Sequence, residues 1–590
     1  MESRIVDRRD LDFLLHELLQ VEAFTAAPRH AEHSRATFDA ALDSAFAIAT
    51  REFAPHNRAV DLHEPVFDGE RVQVAAPIGP ALAAFIDAGF LAATYDSADG
   101  GMQLPRTVAT ACWGVFKGAS IAIETYASLT IGVANLLREH GSAAQKARWL
   151  KPLLAGRFFG TMVLTEPQAG SSLADIRTRA TPRPAGAYAI RGEKIFITAG
   201  DHELGENIVH LVLARLPDAP AGVKGLSLFI VPKHRVHDDG TVGARNDVAL
   251  TGLIHKLGSR GTTSAMLRFG ERDDCIGELL GEPNQGLACM FGMMNEARIN
   301  VGTCAAMLAC TGYLHALAYA RERVQGRAAH DPHAPAVPIV RHADVRRMLL
   351  AQKCVAEGSL ALCLYGAWLM DRQAVALDPA QRRDAGRLLD LLTPVIKAWP
   401  AHHGTEANSL AIQVLGGHGY TRDHPVEQFF RDNRLNSIHE GTDGIQALDL
   451  LGRKAAAGGL DVLDGEMTAA IAAARALDDE SLARHADALH AAWQALRETS
   501  RVLLAAQRED APVALANASV YLHAFGHTVI AWLWLRMATL AVPHGKSDFH
   551  RGKLAAAHHF FTHELPKTGP QHALLRSLDP ALVRLDDTCL

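Results

Sequence analysis

One carboxylate late in the chain has the surroundings of a general base. Glu440 lies in the run Ile-His-Glu-Gly-Thr-Asp-Gly-Ile-Gln at residues 438–446. Apolar neighbours and an adjacent glycine favour loss of hydration, which raises the pKa of a carboxyl group and makes it a better base near neutral pH. The run is also typical of a helix start, with Thr442 or Asp443 capping a helix from Ile445 onward. Both interpretations remain open on these residues alone.

Two segments in the middle of the chain could hold a polar ligand. Residues 162–172, Met-Val-Leu-Thr-Glu-Pro-Gln-Ala-Gly-Ser-Ser, are typical of a strand that ends in a loop. The free N–H groups and hydroxyls of such a loop can bind an anion or the edge of a polar ring. Residues 194–200, Lys-Ile-Phe-Ile-Thr-Ala-Gly, place Phe196 two positions before Thr198 on one strand face. An ordinary turn and a core phenylalanine fit the same patterns.

Two predicted helix ends carry groups that suit a phosphate or a cofactor. Residues 321–327 contain three arginines, which favour a helix C-terminus and also match phosphate oxygens. Residues 413–420, Gln-Val-Leu-Gly-Gly-His-Gly-Tyr, carry glycines that either end a helix or let a cofactor approach the backbone.

Other chemistries lack their sequence signatures. No Gly-x-Gly-x-x-Gly follows a predicted strand, and the chain has no Walker loop and no Gly-x-Ser-x-Gly elbow. The 30 histidines include no His-Glu-x-x-His, so we expect no metal centre. The eight cysteines form no Cys-x-x-Cys pair, which is typical of a reduced, cytosolic protein.

Hydrophobic periodicity indicates how these segments are positioned. A helical pattern occupies residues 5–155, and short β-rich runs follow from 159 to 280, including a predicted hairpin that turns near 191–193. Long amphipathic helices are expected over Met290–Glu322, Ala343–Met370 and Pro379–Leu415. The predicted domains are an N-terminal helical extension (1–38), an N-terminal helical domain (39–158), a middle β domain (159–285), a C-terminal helical bundle (286–452) and an additional helical domain (453–590).

Charge and hydropathy exclude several classes of partner. The net charge is −6, and residues 451–590 carry 14 Lys+Arg against 15 Asp+Glu, net −1. A nucleic-acid partner would require a basic stripe, so none is expected. The charged N-terminus lacks an apolar signal region, and the longest unbroken apolar run, Leu360–Met370, is too short for a membrane span. We therefore expect a cytoplasmic protein.

Taken together and in this order, the motifs resemble the acyl-CoA dehydrogenase family over residues 40–452. The additional helical domain is similar to that of the larger bacterial branch, which includes long-chain and 3-methylmercaptopropionyl-CoA dehydrogenases. The resemblance implies a mainly α fold with a small β-barrel-like middle domain, a C-terminal four-helix bundle and a further helical domain.

The resemblance assigns a role to each matching residue. Glu440 is the implied catalytic base. The implied contacts to FAD come from Met162, Leu164, Thr165, Ser171, Phe196, Ile197, Thr198, Arg323, Gln325, Gln413, Leu415, Gly416, Gly417, Thr442 and Gly444. Arg323 and Gln325 would hold the diphosphate of a neighbouring subunit. The implied contacts to the acyl-CoA substrate come from Ser171, Asn295, Arg298 and Gly441.

The implied reaction is an α,β-desaturation within fatty-acid β-oxidation. Glu440 would remove the α-proton of the thioester while flavin N5 accepts the β-hydride, giving the trans-2-enoyl-CoA. The main-chain N–H of the base and a ribityl hydroxyl of FAD would stabilise the developing enolate. Electrons would pass to an electron-transferring flavoprotein. The family also implies a homodimer or homotetramer.

Several alternatives remain at this stage. His439 stands where tyrosine is common and could perturb the base, and Phe196 stands where tryptophan is commoner. A minority of the family carries its base at the position of Ala297, beside Glu296. Two other functions compete with the dehydrogenase. They are a DNA-binding flavoprotein, against which the tail's net charge of −1 counts, and an acyl-CoA oxidase with oxygen as acceptor.

Overall fold

The computed structural model describes residues 4–327 and 333–590, without the side chains of residues 291–294. Helices dominate the region before the sheet. In chain order they are α1 (Arg8–Asp12), α2 (Arg35–Ile48), α3 (Asn57–Leu62), α4 (Ile78–Asp87), α5 (Arg106–Ala119), α6 (Ile121–His140), α7 (Ala143–Gln145) and α8 (Lys151–Leu154).

Twelve strands lie between Val66 and Leu280. They are β1 (Val66–Phe67), β2 (Val72–Gln73), β3 (Phe158–Val163), β4 (Arg179–Pro182), β5 (Ala187–Thr198), β6 (Asn207–Arg215), β7 (Leu226–Pro232), β8 (His234–Val236), β9 (Val242–Arg245), β10 (Val248–Leu253), β11 (Ser264–Phe269) and β12 (Ile276–Leu280). The ten strands from β3 to β12 lie within the region from 159 to 280 where β-rich runs were predicted, apart from the first residue of β3.

The eight-stranded sheet closes on itself in part. Its order is β10-β11-β5-β12-β7-β6-β3, and β4 pairs with both β5 and β6. The strands β5, β12, β7, β6 and β4 therefore form a closed ring, which confirms the predicted barrel-like domain. Alternate residues of β6 point to opposite sides, with Leu211 and Leu213 in one core and Val212 and Ala214 in the other.

The predicted hairpin at 188–197 is wrong. These residues form the continuous strand β5, which pairs with β4, β11 and β12. Gly192 suggested a turn, but its role is a close approach between neighbours. A Cβ built at Gly192 would lie 2.3 Å from the Thr178 hydroxyl oxygen. Glycine inside a strand is a mark of such approaches as well as of turns.

Helices resume after the sheet and continue to the end of the chain. They are α9 (Gly286–Glu322), α10 (Ala343–Val375), α11 (Pro379–Leu415), α12 (Val426–Arg434), α13 (Asp443–Asp449), α14 (Gly459–Arg475), α15 (Glu480–Ala506), α16 (Ala511–Leu515), α17 (Ala518–Ala541), α18 (Asp548–His559), α19 (Thr568–Ser577) and α20 (Ala581–Arg584). The three long helices were predicted, and Gly416 ends α11 with a φ of 58° as a C-terminal cap.

The chain divides into two compact units. The helical unit comprises Met1–Arg35, Pro105–Gly114 and Arg298–Leu590, and the β-containing unit comprises Ala36–Leu104 and Val115–Ala297. In the helical unit, α17 is buried almost all round, including Trp532 and Trp534. A helix that is apolar on every side has to lie inside a protein core or an equivalent apolar phase.

A buried charge cluster in the helical unit joins residues that are far apart in sequence. The Lys553 ammonium group on α18 donates to Asp10 on α1 and, at 2.7 Å, to Glu357 on α10. All three side chains are under 10% exposed. Buried charges need such partners because an isolated one would be far too costly to desolvate. The cluster therefore fixes the N-terminal extension to both later helices.

Among the residues that the structure describes, three helices are long and apolar enough to cross a membrane by length and composition alone. They are Asn295–Glu322, Ala343–Val375 and Ala518–His544, and 72% to 83% of their most apolar windows is buried inside the fold. Polar residues interrupt each of these helices, so none is an unbroken apolar run over its whole length.

Candidate active site

Glu440 lies in a strained turn between α12 and α13. Its φ is 53°, and that of Gly441 is 84°. Left-handed backbone is unfavourable for a residue with a Cβ and is concentrated at functional sites. Gln446 stabilises the turn, since its Nε2 donates to the carbonyl oxygens of Glu440 at 3.0 Å and of Gly441 at 3.4 Å. The turn thus aims the Glu440 side chain at a cost in local strain.

The predicted cap is confirmed and leaves Glu440 outside the helix. Thr442 is the N-cap of α13, and its hydroxyl oxygen accepts from the N–H of Ile445 at 3.3 Å. The two interpretations of this run are therefore compatible. The threonine starts the helix, while the glutamate two positions earlier keeps its carboxylate free of a capping role.

Burial and two cations shift the pKa of Glu440 in opposite directions. Loss of water raises the pKa of its carboxyl group, and the charges of Lys397 and Arg298 oppose that rise. The residue is nevertheless exposed to solvent. Both observations fit a carboxylate that protein surrounds on most sides and water reaches from one. The raised pKa agrees with the expectation from its apolar neighbours.

Lys397 is the cation near Glu440 that the sequence did not reveal. It lies on α11 between Pro394 and Pro400, and its side chain is fully buried. Its Nζ donates to Asp443 Oδ1 at 3.3 Å. Burial lowers the pKa of this lysine, and the charge of Asp443 opposes that change. A lysine inside the apolar stretch of α11 is the sequence signal that could have indicated it.

Arg298 is held in the same unit by Asp449. Its Nη1 lies 2.6 Å from Asp449 Oδ2, and the residue is only 5% exposed. Its Nε is buried and has no hydrogen-bond partner among the described residues. Its partner is therefore an acidic side chain of α13, and its charge acts on Glu440. Contact between Arg298 and CoA stays a prediction, as does that of the half-buried Asn295.

His439 carries no charge at neutral pH. Burial lowers the pKa of its ring to about 4, although a hydrogen bond to the Leu435 carbonyl favours the protonated form. The sequence left open how this histidine affects the base. Since the ring is neutral, it exerts no full charge on the carboxylate of Glu440.

A second group of predicted residues lies in the β-containing unit, on the loop after β3. Glu166 fixes this loop by accepting hydrogen bonds from the N–H groups of Arg177 and Thr178, and it pairs with Lys194 at 2.9 Å. Although burial works in the other direction, the charge of Lys194 and these hydrogen bonds lower the pKa of Glu166 to about 2. The fixed loop carries the half-buried Leu164 and Thr165 and the exposed Ser171, and the half-buried Met162 lies just before it on β3.

The end of β5 lies against this loop. The N–H of Ile195 donates to the Thr165 carbonyl oxygen at 3.0 Å. The pairing of β5 with β11 shifts register next to Phe196, whose φ is 60° and whose side chain is 60% exposed. Such a bulge re-aims a side chain. The structure therefore brings Thr165, Phe196 and Thr198 together, with Ile197 buried behind them.

The remaining predicted contacts lie in the helical unit. Arg323 and Gln325 are exposed on a short extended segment after α9, where the Gln325 carbonyl oxygen contacts His342 Nε2 at 2.7 Å. Gln413, Gly416 and Gly417 are exposed, while Leu415 is buried in the core. Thr442 is half-buried and Gly444 is exposed on α13. Arg323 and Gln325 thus follow the end of α9, the residues from Gln413 to Gly417 lie at the end of α11, and Thr442 and Gly444 lie at the start of the short helix α13.

Comparison with known proteins places four domain models along the chain. They match the acyl-CoA dehydrogenase N-terminal domain at residues 36–157, its middle domain at 161–271 and its C-terminal domain at 284–455. A fourth, described as acetyl-CoA dehydrogenase C-terminal like, matches residues 463–586.

Similar proteins cover almost the whole chain. The 3-methylmercaptopropionyl-CoA dehydrogenase of Ruegeria pomeroyi is 36% identical over 98% of both chains. The broad-specificity linear acyl-CoA dehydrogenase FadE5 of Mycobacterium tuberculosis is 35% identical over 98% of both. Among solved structures, Caenorhabditis elegans ACDH-11 in complex with C11-CoA matches with a TM-score of 0.74 at 19% identity, covering 94% of this chain and 89% of that one.

Proposed function

The chain belongs to the acyl-CoA dehydrogenase family, and on that premise we propose that it is an FAD-dependent enzyme that desaturates an acyl-CoA thioester between its α and β carbons. The observation that carries this proposal is the position of Glu440. It is a single carboxylate on a left-handed turn, its pKa is raised by burial, and two cations oppose the rise. A general base needs this balance, because it must be ionised at working pH yet basic enough to accept a proton.

Two groups of residues fit parts of an FAD molecule. The exposed ring of Phe196 and the hydroxyls of Thr165 and Thr198 offer an aromatic face and polar contacts for a flavin. A Cβ built at Gly416 or Gly417 meets nothing within 4 Å, so their backbone is open to a bound group. The exposed Arg323 suits a diphosphate. When bound, the flavin supplies a hydride acceptor, a chemistry that no side chain of the protein provides.

The protein itself supplies the proton chemistry. The Glu440 carboxylate accepts the α-proton. The main-chain N–H of Glu440 has no acceptor within the described part of the chain, so it is available to the thioester oxygen. A donor held at that oxygen stabilises the enolate that forms as the proton leaves. Gly441, which has no side chain, leaves that approach open.

The electron acceptor and assembly follow from the same proposal. We propose that electrons pass to an electron-transferring flavoprotein within fatty-acid β-oxidation, and that Arg323 and Gln325 serve the FAD of a neighbouring subunit in a homodimer or homotetramer.

The test is anaerobic reduction of the purified, FAD-loaded protein by acyl-CoAs of graded chain length. Loss of flavin absorbance, with formation of the 2-enoyl-CoA, is expected for at least one chain length. Transfer to an electron-transferring flavoprotein without peroxide release distinguishes the dehydrogenase from an acyl-CoA oxidase. Failure of every acyl-CoA to reduce the flavin would overturn the proposal.

A further inference from the structure

A cluster of histidines lies between α11 and α17 in the helical unit. His402 and His403 are on α11, and His523 is on α17. The ring centroids of His402 and His523 are 4.3 Å apart, and those of His403 and His523 are 5.3 Å apart. One ring nitrogen from each of the three histidines lies within 4.8 Å of the other two. None of these residues belongs to the active site described above.

Close packing of the two helices creates this cluster. Gly526 on α17 has no side chain, and a Cβ built there would lie 2.3 Å from the Trp399 ring on α11. The Trp399 Nε1 lies 3.3 Å from Nδ1 of His527, one turn beyond His523. The glycine therefore lets the helices approach until histidines of both meet. Only folding of the additional domain against α11 brings them together, because His403 and His523 are 120 positions apart in the chain.

Two ring nitrogens in the cluster lack a partner. His403 Nε2 and His523 Nδ1 are buried without a hydrogen-bond partner among the described residues. Leaving a buried polar atom unsatisfied is unfavourable, so such atoms in native proteins call for an explanation. The third histidine, His402, keeps part of its side chain exposed and gives the cluster a route to solvent.

The other nitrogen of His403 is already engaged. Its Nδ1 lies 2.7 Å from Glu406 Oε2. A carboxylate on one imidazole nitrogen orients the ring and makes the opposite nitrogen a better ligand, which is the usual outer shell of a metal-bound histidine.

We propose that His402, His403 and His523 bind one divalent transition-metal ion of the Zn²⁺ class, which links the additional C-terminal domain to the helical bundle. Ligand atoms that surround a metal ion in a tetrahedron at about 2.0–2.1 Å lie about 3.4 Å from one another. The three ring nitrogens lie within 4.8 Å of one another, so side-chain movements of at most roughly 1.4 Å bring each pair to that distance. Solvent completes the coordination. The ion would hold α11 and α17 together and satisfy both unpartnered nitrogens.

Zinc binding to the full-length protein, stripped of metal with a chelator, tests the proposal. We expect one tightly bound Zn²⁺ per chain in competition with a fluorescent zinc indicator. His523→Ala and His403→Ala are expected to weaken binding more than about 100-fold, and Glu406→Gln by roughly 10- to 100-fold. His490→Ala, at an exposed histidine on α15, is the matched control and should bind as the wild type does.

Two further measurements make the result decisive if a buried variant does not fold. His402→Gln removes a ligand at a partly exposed position and should also lose tight binding. Cobalt-loaded wild-type protein should show the intense visible absorption of a tetrahedral Co²⁺ site. Equal zinc affinity in wild type, His402→Gln and His523→Ala would overturn the proposal, as would a wild-type protein without tight zinc or the tetrahedral cobalt spectrum.

Discussion

Gln446 holds the main chain of Glu440 in place through a 3.0 Å hydrogen bond from its Nε2 to the Glu440 carbonyl oxygen. The same nitrogen reaches the carbonyl of Gly441. The amide of Gln446 is buried, and its Oε1 has no partner within the described residues. A side chain on α13 thus stabilises the backbone conformation of Glu440, six residues earlier.

Gly441→Ala is expected to destabilise the protein and to disturb the base. Its φ of 84° is unfavourable for alanine by about 1–2 kcal/mol, and the new Cβ would lie 2.6 Å from Gln446 Nε2. Thermal unfolding measures the loss. Gly465→Ala, in the interior of α14 with open space around it, is the control and should be stabilising by roughly 0.5–1 kcal/mol. Equal behaviour of the two variants would contradict the strained-turn account.

Glu440→Gln is expected to retain FAD and to reduce its flavin about 10²–10⁴-fold more slowly with acyl-CoA. The amide keeps the size of the side chain but cannot accept the α-proton. Stopped-flow flavin reduction under anaerobic conditions measures this. Glu296→Gln should change the rate little, because the Glu296 carboxylate is engaged by the Asn135 amide at 2.7 Å. The reverse pattern would move the base to Glu296.

Lys397→Met is expected to shift the pH dependence of flavin reduction toward higher pH. Burial raises the pKa of Glu440 and the Lys397 charge lowers it, so removing the charge raises the pKa further. Because the base acts when ionised, the acid limb of the rate profile moves upward in pH. Lys397→Arg retains a charge and should keep the limb closer to its wild-type position. An unchanged limb in Lys397→Met would show that the lysine does not act on the base.

Phe196→Ala is expected to weaken FAD binding without lowering the stability of the apoprotein. The ring is 60% exposed and so contributes little to the core. Loss of one aromatic stacking contact corresponds to roughly a 2- to 13-fold weaker affinity. Leu257→Ala, which truncates another exposed apolar side chain of the same unit, should leave FAD affinity unchanged. Titration of apoprotein with FAD separates the two.

Lys553→Met is expected to cost about 3–5 kcal/mol in the free energy of unfolding, because it leaves two buried carboxylates, Asp10 and Glu357, without their shared partner. Chemical denaturation measures the loss. Lys546→Met removes an exposed charge nearby in sequence and should change stability by less than about 0.5 kcal/mol.

The sequence predicted the helices and strands better than the contacts around Glu440. Hydrophobic periodicity was sufficient for the long helices, since their apolar faces repeat over many turns. The prediction failed at Gly192, because a glycine is expected in a turn and equally where a strand approaches a neighbour closely, as it does at Thr178. The bulge at Phe196 depends on its pairing with β11, which lies almost 70 residues further along the chain.

The charges near Glu440 from distant parts of the chain could not be predicted from the sequence either. Nothing next to Glu440 in the sequence indicates Lys397, which reaches Asp443 from another helix. The motif around Glu440 could be recognised because it is local and because the other motifs follow in a fixed order, and its catalytic role stays a prediction. The sequence did not predict the left-handed backbone of Glu440, since glutamate rarely adopts that conformation.

The ion pair between Asp10 and Lys553 has a consequence for biosynthesis. The two residues are 543 positions apart, so a ribosome that adds 5–20 residues per second needs roughly half a minute to two minutes between them. Until Lys553 has been synthesised, the N-terminal extension cannot complete its native contacts and stays incompletely folded on the growing chain. A truncation that removes Lys553 would therefore destabilise the N-terminal extension.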